Sequence, residues 1–138
     1  MSSWNDSLLI GVTLIDDQHR VLVKELDEFK DACAHGEGKQ EVGHALKFSV
    51  SYIKEHFKDE EELQTLYVYP DIEAHKKLHA HFVKNAIDLI QELKITGPNA
   101  ELAEKVKKTL VMWFITHIRT EDKKLGAHIH QSEGNKNG

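Results

Sequence analysis

Apolar side chains recur at alternating intervals of three and four residues through four separate stretches of this chain. That period matches the 3.6 residues per turn of an α-helix and places the apolar side chains of each stretch along one face. The stretches cover residues 19–33, 42–67, 72–93 and 102–117. The pattern therefore predicts four amphipathic helices.

The breaks between the stretches carry the residues that end and begin helices. Gly36 and Gly38 follow the first stretch, Pro70 separates the second from the third, and Gly97 and Asn99 precede the fourth. Glycine supplies a left-handed C-cap, proline suits a helix start, and asparagine is a good N-cap. Because short connections favour antiparallel neighbours, we predict an all-α, up-down-up-down four-helix bundle.

The outer parts of the chain are expected to be less regular. An N-terminal arm over residues 1–13 contains apolar residues that should pack on the bundle, and a short C-terminal segment near residues 121–130 follows the fourth helix. The polar residues 131–138 are expected to form a disordered tail. With 138 residues, we predict one domain over residues 1–130.

Charge and cysteine content exclude several classes of partner. The chain has 18 basic and 23 acidic residues and no basic block, which argues against nucleic acid or an anionic membrane surface as the main partner. Cys33 is the only cysteine, so an intramolecular disulfide is impossible. No apolar run approaches the roughly 20 residues that span a bilayer, and the start does not resemble a secretory signal. We expect a cytoplasmic protein without membrane insertion.

Polar residues interrupt the apolar stripes at matching levels. Burying an unpaired imidazole or carboxylate costs several kcal/mol, so a group of them needs a shared partner. A metal ion is such a partner, and iron, zinc and manganese all accept these donors. The stripe positions concerned are His19, His56, Glu60, His75, His79 and His117.

Spacing strengthens the prediction of a metal site. His56 and Glu60 are four residues apart, as are His75 and His79, so each pair lies on adjacent turns of one helix face. Asp122 follows His117 by five residues and would point away from it on a regular α-helix. Because a π-bulge would bring Asp122 inward, we predict a departure from α-helical geometry between His117 and Asp122.

Seven donors exceed what one transition metal accepts while keeping an open position. Two metals bridged by the two carboxylates account for five terminal histidines and one unfilled coordination site. Such a site, rich in neutral imidazole, suits reversible formation of bound peroxide from O2 better than cleavage of the O–O bond. The donor types alone leave the metal undecided.

The motifs that contain these donors resemble the hemerythrin family, in particular its stand-alone bacterial members. The resemblance covers about residues 4–125. The motifs are Ile15-Asp16-Asp17-Gln18-His19, His56-Phe57-Lys58-Asp59-Glu60-Glu61, Tyr69-Pro70, His75-Lys76-Lys77-Leu78-His79, and Trp113-Phe114-Ile115-Thr116-His117-Ile118 ending at Asp122. One departure is Gln64, which stands where the family often has methionine.

The resemblance implies a non-haem centre of two iron ions, Fe2+ or Fe3+, joined by an oxo or hydroxo bridge. One iron would be held by His75, His79 and His117, and it would be coordinatively full. The other would be held by His19 and His56, and its open position would bind O2. Both irons would be bridged by Glu60 and Asp122.

Helical spacing around the histidines suggests the wall of an O2 pocket. A dry apolar wall excludes water and protons and should slow autoxidation. For Trp113, replacement by alanine is therefore expected to speed autoxidation. The predicted wall residues are Leu22, Phe57, Trp113, Phe114 and Ile118.

Several functions are compatible with this centre. We predict reversible O2 binding for carriage, storage or delivery by a monomeric protein that is not an enzyme, with an O2-consuming enzyme or membrane oxidase as the receiving partner. An oxidase, peroxidase or nitric-oxide scavenger would use the same site but would need a further acid or base. A sensor would signal through additional domains, and a metal-homeostasis protein would merely hold the iron.

Overall fold

A computed structural model describes the backbone of residues 4–137 and the side chains of residues 4–134. A 3₁₀ turn at Asp6–Leu8 is followed by three long helices, α1 (Thr13–Ala34), α2 (Gly38–Leu66) and α3 (Ile72–Thr96). A fourth helical stretch runs through α4 (Ala100–Val106), the π-helical turn π1 (Lys107–Met112), α5 (Trp113–His117), the π-helical turn π2 (Ile118–Asp122) and α6 (Lys123–Asn137). The predicted all-α four-helix bundle is confirmed.

The helices begin and end at the predicted breaks. Asn99 caps the fourth helical stretch, because its side-chain oxygen accepts a hydrogen bond from the backbone N–H of Leu102 at 2.8 Å. Gly97 ends α3 with a positive φ of 75°, a conformation that glycine adopts without strain. Pro70 lies between α2 and α3, outside both helices, where its missing N–H removes no helical hydrogen bond.

The four apolar faces meet in the main buried core, and Tyr69, Leu125 and Ile129 form a smaller second cluster. The largest fully buried side chains of the main core come from every helix and include Leu22, Ile53, Phe82 and Phe114. Burying a side chain of this size contributes about 1.5–3 kcal/mol. Within the described residues, no helix is long and apolar enough to cross a membrane.

The N-terminal arm packs on the bundle through backbone hydrogen bonds as well as apolar contacts. The carboxylate of Asp16 accepts bonds from the N–H groups of Ile10 at 2.8 Å and Gly11 at 3.0 Å, and Leu8 is fully buried. The arm also contacts α6, where a Cβ on Gly126 would collide with the carbonyl oxygen of Ile10. The absence of a side chain at position 126 therefore lets the arm approach α6. Residues 1–3 of the predicted arm lie outside the described residues.

The C-terminal helix α6 is attached to the end of α2. It runs to Asn137, and residue 138 lies outside the described residues, so the expected disorder of residues 131–138 stays a prediction. Two long-range bonds attach α6 to the end of α2: Tyr67 Oη donates to Glu133 at 2.8 Å, and a nitrogen of His128 bonds to the Tyr67 carbonyl at 2.8 Å. Composition alone does not reveal contacts between residues more than 60 positions apart.

Candidate metal centre

The seven predicted donor side chains converge in the middle of the core. They come from α1, α2, α3, α5 and the end of π2, and all are buried. The predicted departure from α geometry is confirmed, since π2 occupies the residues from Ile118 to Asp122. The wider π turn directs the carboxylate of Asp122 into the core on the same side as His117, where it is fully buried.

The donors form two overlapping groups that share both carboxylates. In each group, one donor atom from every member lies within 4.8 Å of the others. One group has three histidines and the other has two. The groups are His75, His79, His117, Glu60 and Asp122, and His19, His56, Glu60 and Asp122.

Glu60 directs one carboxylate oxygen to each group of histidines. Its Oε1 lies 2.9 Å from Nε2 of His75 and 3.2 Å from Nε2 of His79. Its Oε2 lies 3.3 Å from Nε2 of His56 and 4.0 Å from Nε2 of His19. A carboxylate oriented in this way can bind two cations at once.

The two carboxylate oxygens of Asp122 are likewise directed to different groups of histidines. Its Oδ1 lies 3.1 Å from Nε2 of both His75 and His117, and its Oδ2 lies 3.1 Å from Nε2 of His19. None of the four carboxylate oxygens of Glu60 and Asp122 forms a hydrogen bond of acceptable geometry among the described residues. Donor atoms that crowd together without bonding one another are arranged to point at a shared partner.

The distances between imidazole nitrogens fit a metal ion. His19 and His56 have Nε2 atoms 3.1 Å apart, and Nε2 of His117 lies 3.0 Å from that of His75 and 3.2 Å from that of His79. Two nitrogens at about 2.1 Å from one ion, at a right angle, would be about 3.0 Å apart. The residues therefore fit two metal ions.

The electrostatics of the centre also favour cations. Burial and the charge of Asp122 raise the pKa of Glu60, but contacts with His56, His75 and His79 outweigh them and hold that pKa well below its ordinary value. Burial raises the pKa of Asp122 as well, and nearby imidazoles again lower it overall. Both carboxylates are therefore ionised at neutral pH, which places two negative charges between the two groups of histidines.

Two imidazoles are oriented by hydrogen bonds from outside the cluster. The Nδ1 atom of His56 lies 2.7 Å from Oε1 of Gln18, whose amide nitrogen donates to Asp59 at 2.7 Å. The Nδ1 atom of His79 lies 2.9 Å from Oε2 of Glu61. Since these acceptors keep the proton on Nδ1, Nε2 of each ring presents its lone pair to the centre.

These outer partners were not predicted, although Gln18 and Glu61 stand next to His19 and Glu60 in the motifs. Neighbouring positions on a helix point about 100° apart. Each side chain therefore reaches a histidine on another helix instead of the donor beside it. A polar residue directly next to a buried donor is the only sequence signal for such a role.

The aromatic residues of the predicted pocket wall lie against both groups of histidines. Phe114 is fully buried, and its ring centroid lies 5.8 Å from that of His19 and 6.0 Å from that of His56. Phe57 stacks on His79 at 3.7 Å, with its plane within 1°. Trp113 stacks on His117 at 4.6 Å. Trp113 therefore lies beside the three-histidine group rather than the two-histidine group.

The remaining wall residues, Leu22 and Ile118, are fully buried in the same apolar core.

Gln64, the departure from the family pattern, is also fully buried one turn beyond Glu60. Both of its amide atoms lack a hydrogen-bond partner among the described residues, as does the hydroxyl of Tyr69 nearby in the chain. Burial, with the charges of Asp71 and other acids, raises the pKa of Tyr69 to about 12.

Comparison with known proteins agrees with this geometry. A family model described as the hemerythrin HHE cation binding domain matches residues 10–129. The chain belongs to the hemerythrin family. All seven donors of this hemerythrin chain lie within the matched range, and the resemblance seen in its motifs is confirmed.

Individual relatives extend the match over most of the hemerythrin chain. It is 31% identical over 133 residues to a bacteriohemerythrin of Stenotrophomonas maltophilia, covering 93% of this chain and 84% of the relative. It is 29% identical over 120 residues to a bacteriohemerythrin of Pseudomonas aeruginosa, covering 86% and 75%. It is 28% identical over 119 residues to a myohemerythrin of Theromyzon tessulatum, covering 86% of each chain.

Proposed function

We propose that this hemerythrin binds O2 reversibly at a centre of two iron ions held by five histidines and two carboxylates. The observation that carries the proposal is the orientation of Glu60 and Asp122, each of which directs one oxygen to members of the three-histidine group and the other to the two-histidine group. Two ions sharing both carboxylates would occupy this arrangement. The family relationship supports iron as the metal.

The two groups of histidines give the two ions different roles. His75, His79 and His117 would hold the first ion and fill its coordination sphere. His19 and His56 would hold the second ion with one imidazole fewer, which leaves a position for O2. When bound, the two ferrous ions supply the electrons that O2 takes up on binding and accept them again on release.

The protein contributes by excluding water from the O2 side. Phe114 packs edge-on against both His19 and His56, and Leu22 and Ile118 belong to the same buried core. An apolar wall offers no proton donor to bound oxygen and keeps it from leaving in reduced form. Exclusion of water by this apolar wall supports carriage of O2 rather than its chemical consumption.

The surroundings of the centre supply little for an enzyme. Apart from the donors, the buried acids among the described residues are Asp16 and Asp27. Asp16 is bonded to the arm, and Asp27 lies eight residues, roughly 12 Å, from His19 along α1. No further buried acid of the described residues lies at the centre, which supports a carrier rather than an enzyme. We also propose that the protein is a cytoplasmic monomer.

The proposal is tested by loading the metal-free protein with ferrous iron under argon. Iron per chain is counted, and visible spectra are recorded through repeated cycles of air and argon. We expect two irons per chain and an absorption band that appears with O2 and disappears without it. A His19→Asn variant should lose the band, whereas His35→Asn, at an exposed histidine, should keep it.

Other outcomes would assign a different function. One iron or none per chain would contradict the two-ion centre. Two irons that oxidise at once and irreversibly, with turnover of added peroxide or nitric oxide, would favour an enzyme. Stable iron binding without any O2-dependent spectrum would favour metal storage.

A further inference from the structure

An open groove lies between α2 and α3 beside the metal centre. Its volume is about 1010 Å³, and apolar side chains of both helices, including Phe57, Val83 and Ile87, line it. The groove extends from Lys54 to Thr65 on α2, which is about 16 Å along the helix axis. A surface of this length is suited to contact with another protein.

Four lysines also line the groove, and their charges are not neutralised within the chain. Lys54, Lys58, Lys76 and Lys84 form no ion pair within the part of the chain that the structure describes. The acids that line the groove are Glu61 and Glu62, and Glu61 is bonded to His79. The groove is therefore locally positive, although the whole chain carries a net charge of −5.

The same groove reaches one of the proposed metal ligands. His79 lines the groove, and its ring stacks on that of Phe57 with centroids 3.7 Å apart. Its Nδ1 bonds to Glu61, a partly exposed side chain. An electron donor seated in the groove would be separated from the centre by a single imidazole ring.

We propose that this groove is the docking site of an acidic one-electron carrier protein that restores the oxidised centre to its ferrous form. The proposal rests on the proposed two-iron centre. Each ferric ion takes one electron, so two reduced carriers are oxidised for each centre that is reduced, and no bond of the protein is formed or broken. The unpaired lysines would attract the acidic surface of the carrier, and the apolar floor would bury the contact.

A plant-type [2Fe–2S] ferredoxin, which is acidic and transfers single electrons, is the probe. Binding of oxidised ferredoxin to the oxidised, iron-loaded protein is measured by calorimetry at several salt concentrations. Reduction by reduced ferredoxin is followed by stopped-flow absorbance. We expect saturable binding that weakens with salt, and a reduction rate that saturates with ferredoxin concentration.

The double variant Lys58→Glu/Lys76→Glu should weaken binding and slow reduction by about tenfold or more at low salt. The control is Lys24→Glu/Lys39→Glu, which makes the same charge change at exposed lysines that do not line the groove. Iron content and the O2-dependent spectrum are measured for every variant. Both should equal those of the unaltered protein, so failure of the docking proposal is separable from failure of the two-iron centre.

Three outcomes would overturn the proposal. The first is no binding of ferredoxin by the iron-loaded protein. The second is equal slowing by both double variants, which would indicate an effect of net charge alone. The third is that Lys58→Glu/Lys76→Glu is reduced more slowly than the unaltered protein by the small anion dithionite, while no ferredoxin complex forms. That result would identify a site for small anions instead of a protein.

Discussion

Glu61 accepts a hydrogen bond from Nδ1 of His79 at 2.9 Å, whereas the corresponding partner of His56 is the neutral amide of Gln18. A carboxylate partner makes an imidazole more basic and a stronger ligand than an amide partner does. The two halves of the centre therefore differ in the charge of their outer partners as well as in their number of histidines.

Replacing Glu61 by glutamine should lower iron affinity by about 10- to 100-fold, because His79 loses its charged partner. Affinity is measured by competition with a chromophoric chelator. Glu62→Gln is the matched control, since it removes the same charge from the next, exposed residue. Equal affinities for the two variants would show that Glu61 acts only through its charge at the surface.

The Asp122→Asn variant should reduce the iron content from two ions per chain toward one. An amide cannot bind two cations through two charged oxygens, and the carboxylate of Asp122 faces both histidine groups. Iron is counted after gel filtration, and the fold is checked by far-ultraviolet circular dichroism. Glu121→Gln, at the adjacent half-buried position, should retain both ions. Retention of two ions by Asp122→Asn would remove Asp122 from the bridging role.

The aromatic wall predicts unequal effects on autoxidation. Phe114→Leu should speed autoxidation several-fold, because Phe114 packs against the two histidines on the proposed O2 side. Trp113→Leu should have a smaller effect, because Trp113 stacks on His117. Decay of the O2-dependent absorption band in air measures both rates. A faster decay for the Trp113 variant would place O2 on the three-histidine side.

Gln64→Met should increase the stability of the protein by about 1 kcal/mol, because a buried amide without a protein partner is replaced by an apolar side chain of similar length. Urea unfolding of the iron-loaded protein at fixed iron concentration measures the change. Gln40→Met, at an exposed position in α2, controls for hydrophobicity and should leave the midpoint unchanged. A loss of stability in Gln64→Met would show that the amide is satisfied in solution.

The sequence by itself determined the four helices, their breaks and the set of inward donors. Helical period, capping residues and Pro70 act locally, and a polar residue on an apolar stripe is visible without coordinates. The five-residue interval between His117 and Asp122 even indicated the π2 turn. The other π turn, π1, has no comparable signal in the sequence, because it does not separate two predicted metal donors.

The tertiary structure alone decided how these elements meet. The division of the Glu60 oxygens, the contact of Gln18 with a histidine 38 positions away, and the stacking of Phe57 on His79 depend on the rotation and offset of neighbouring helices. Packing of whole faces sets those quantities, and no local pattern encodes them. For the same reason, composition does not reveal the hydrogen bonds that join Tyr67 to His128 and Glu133 of α6.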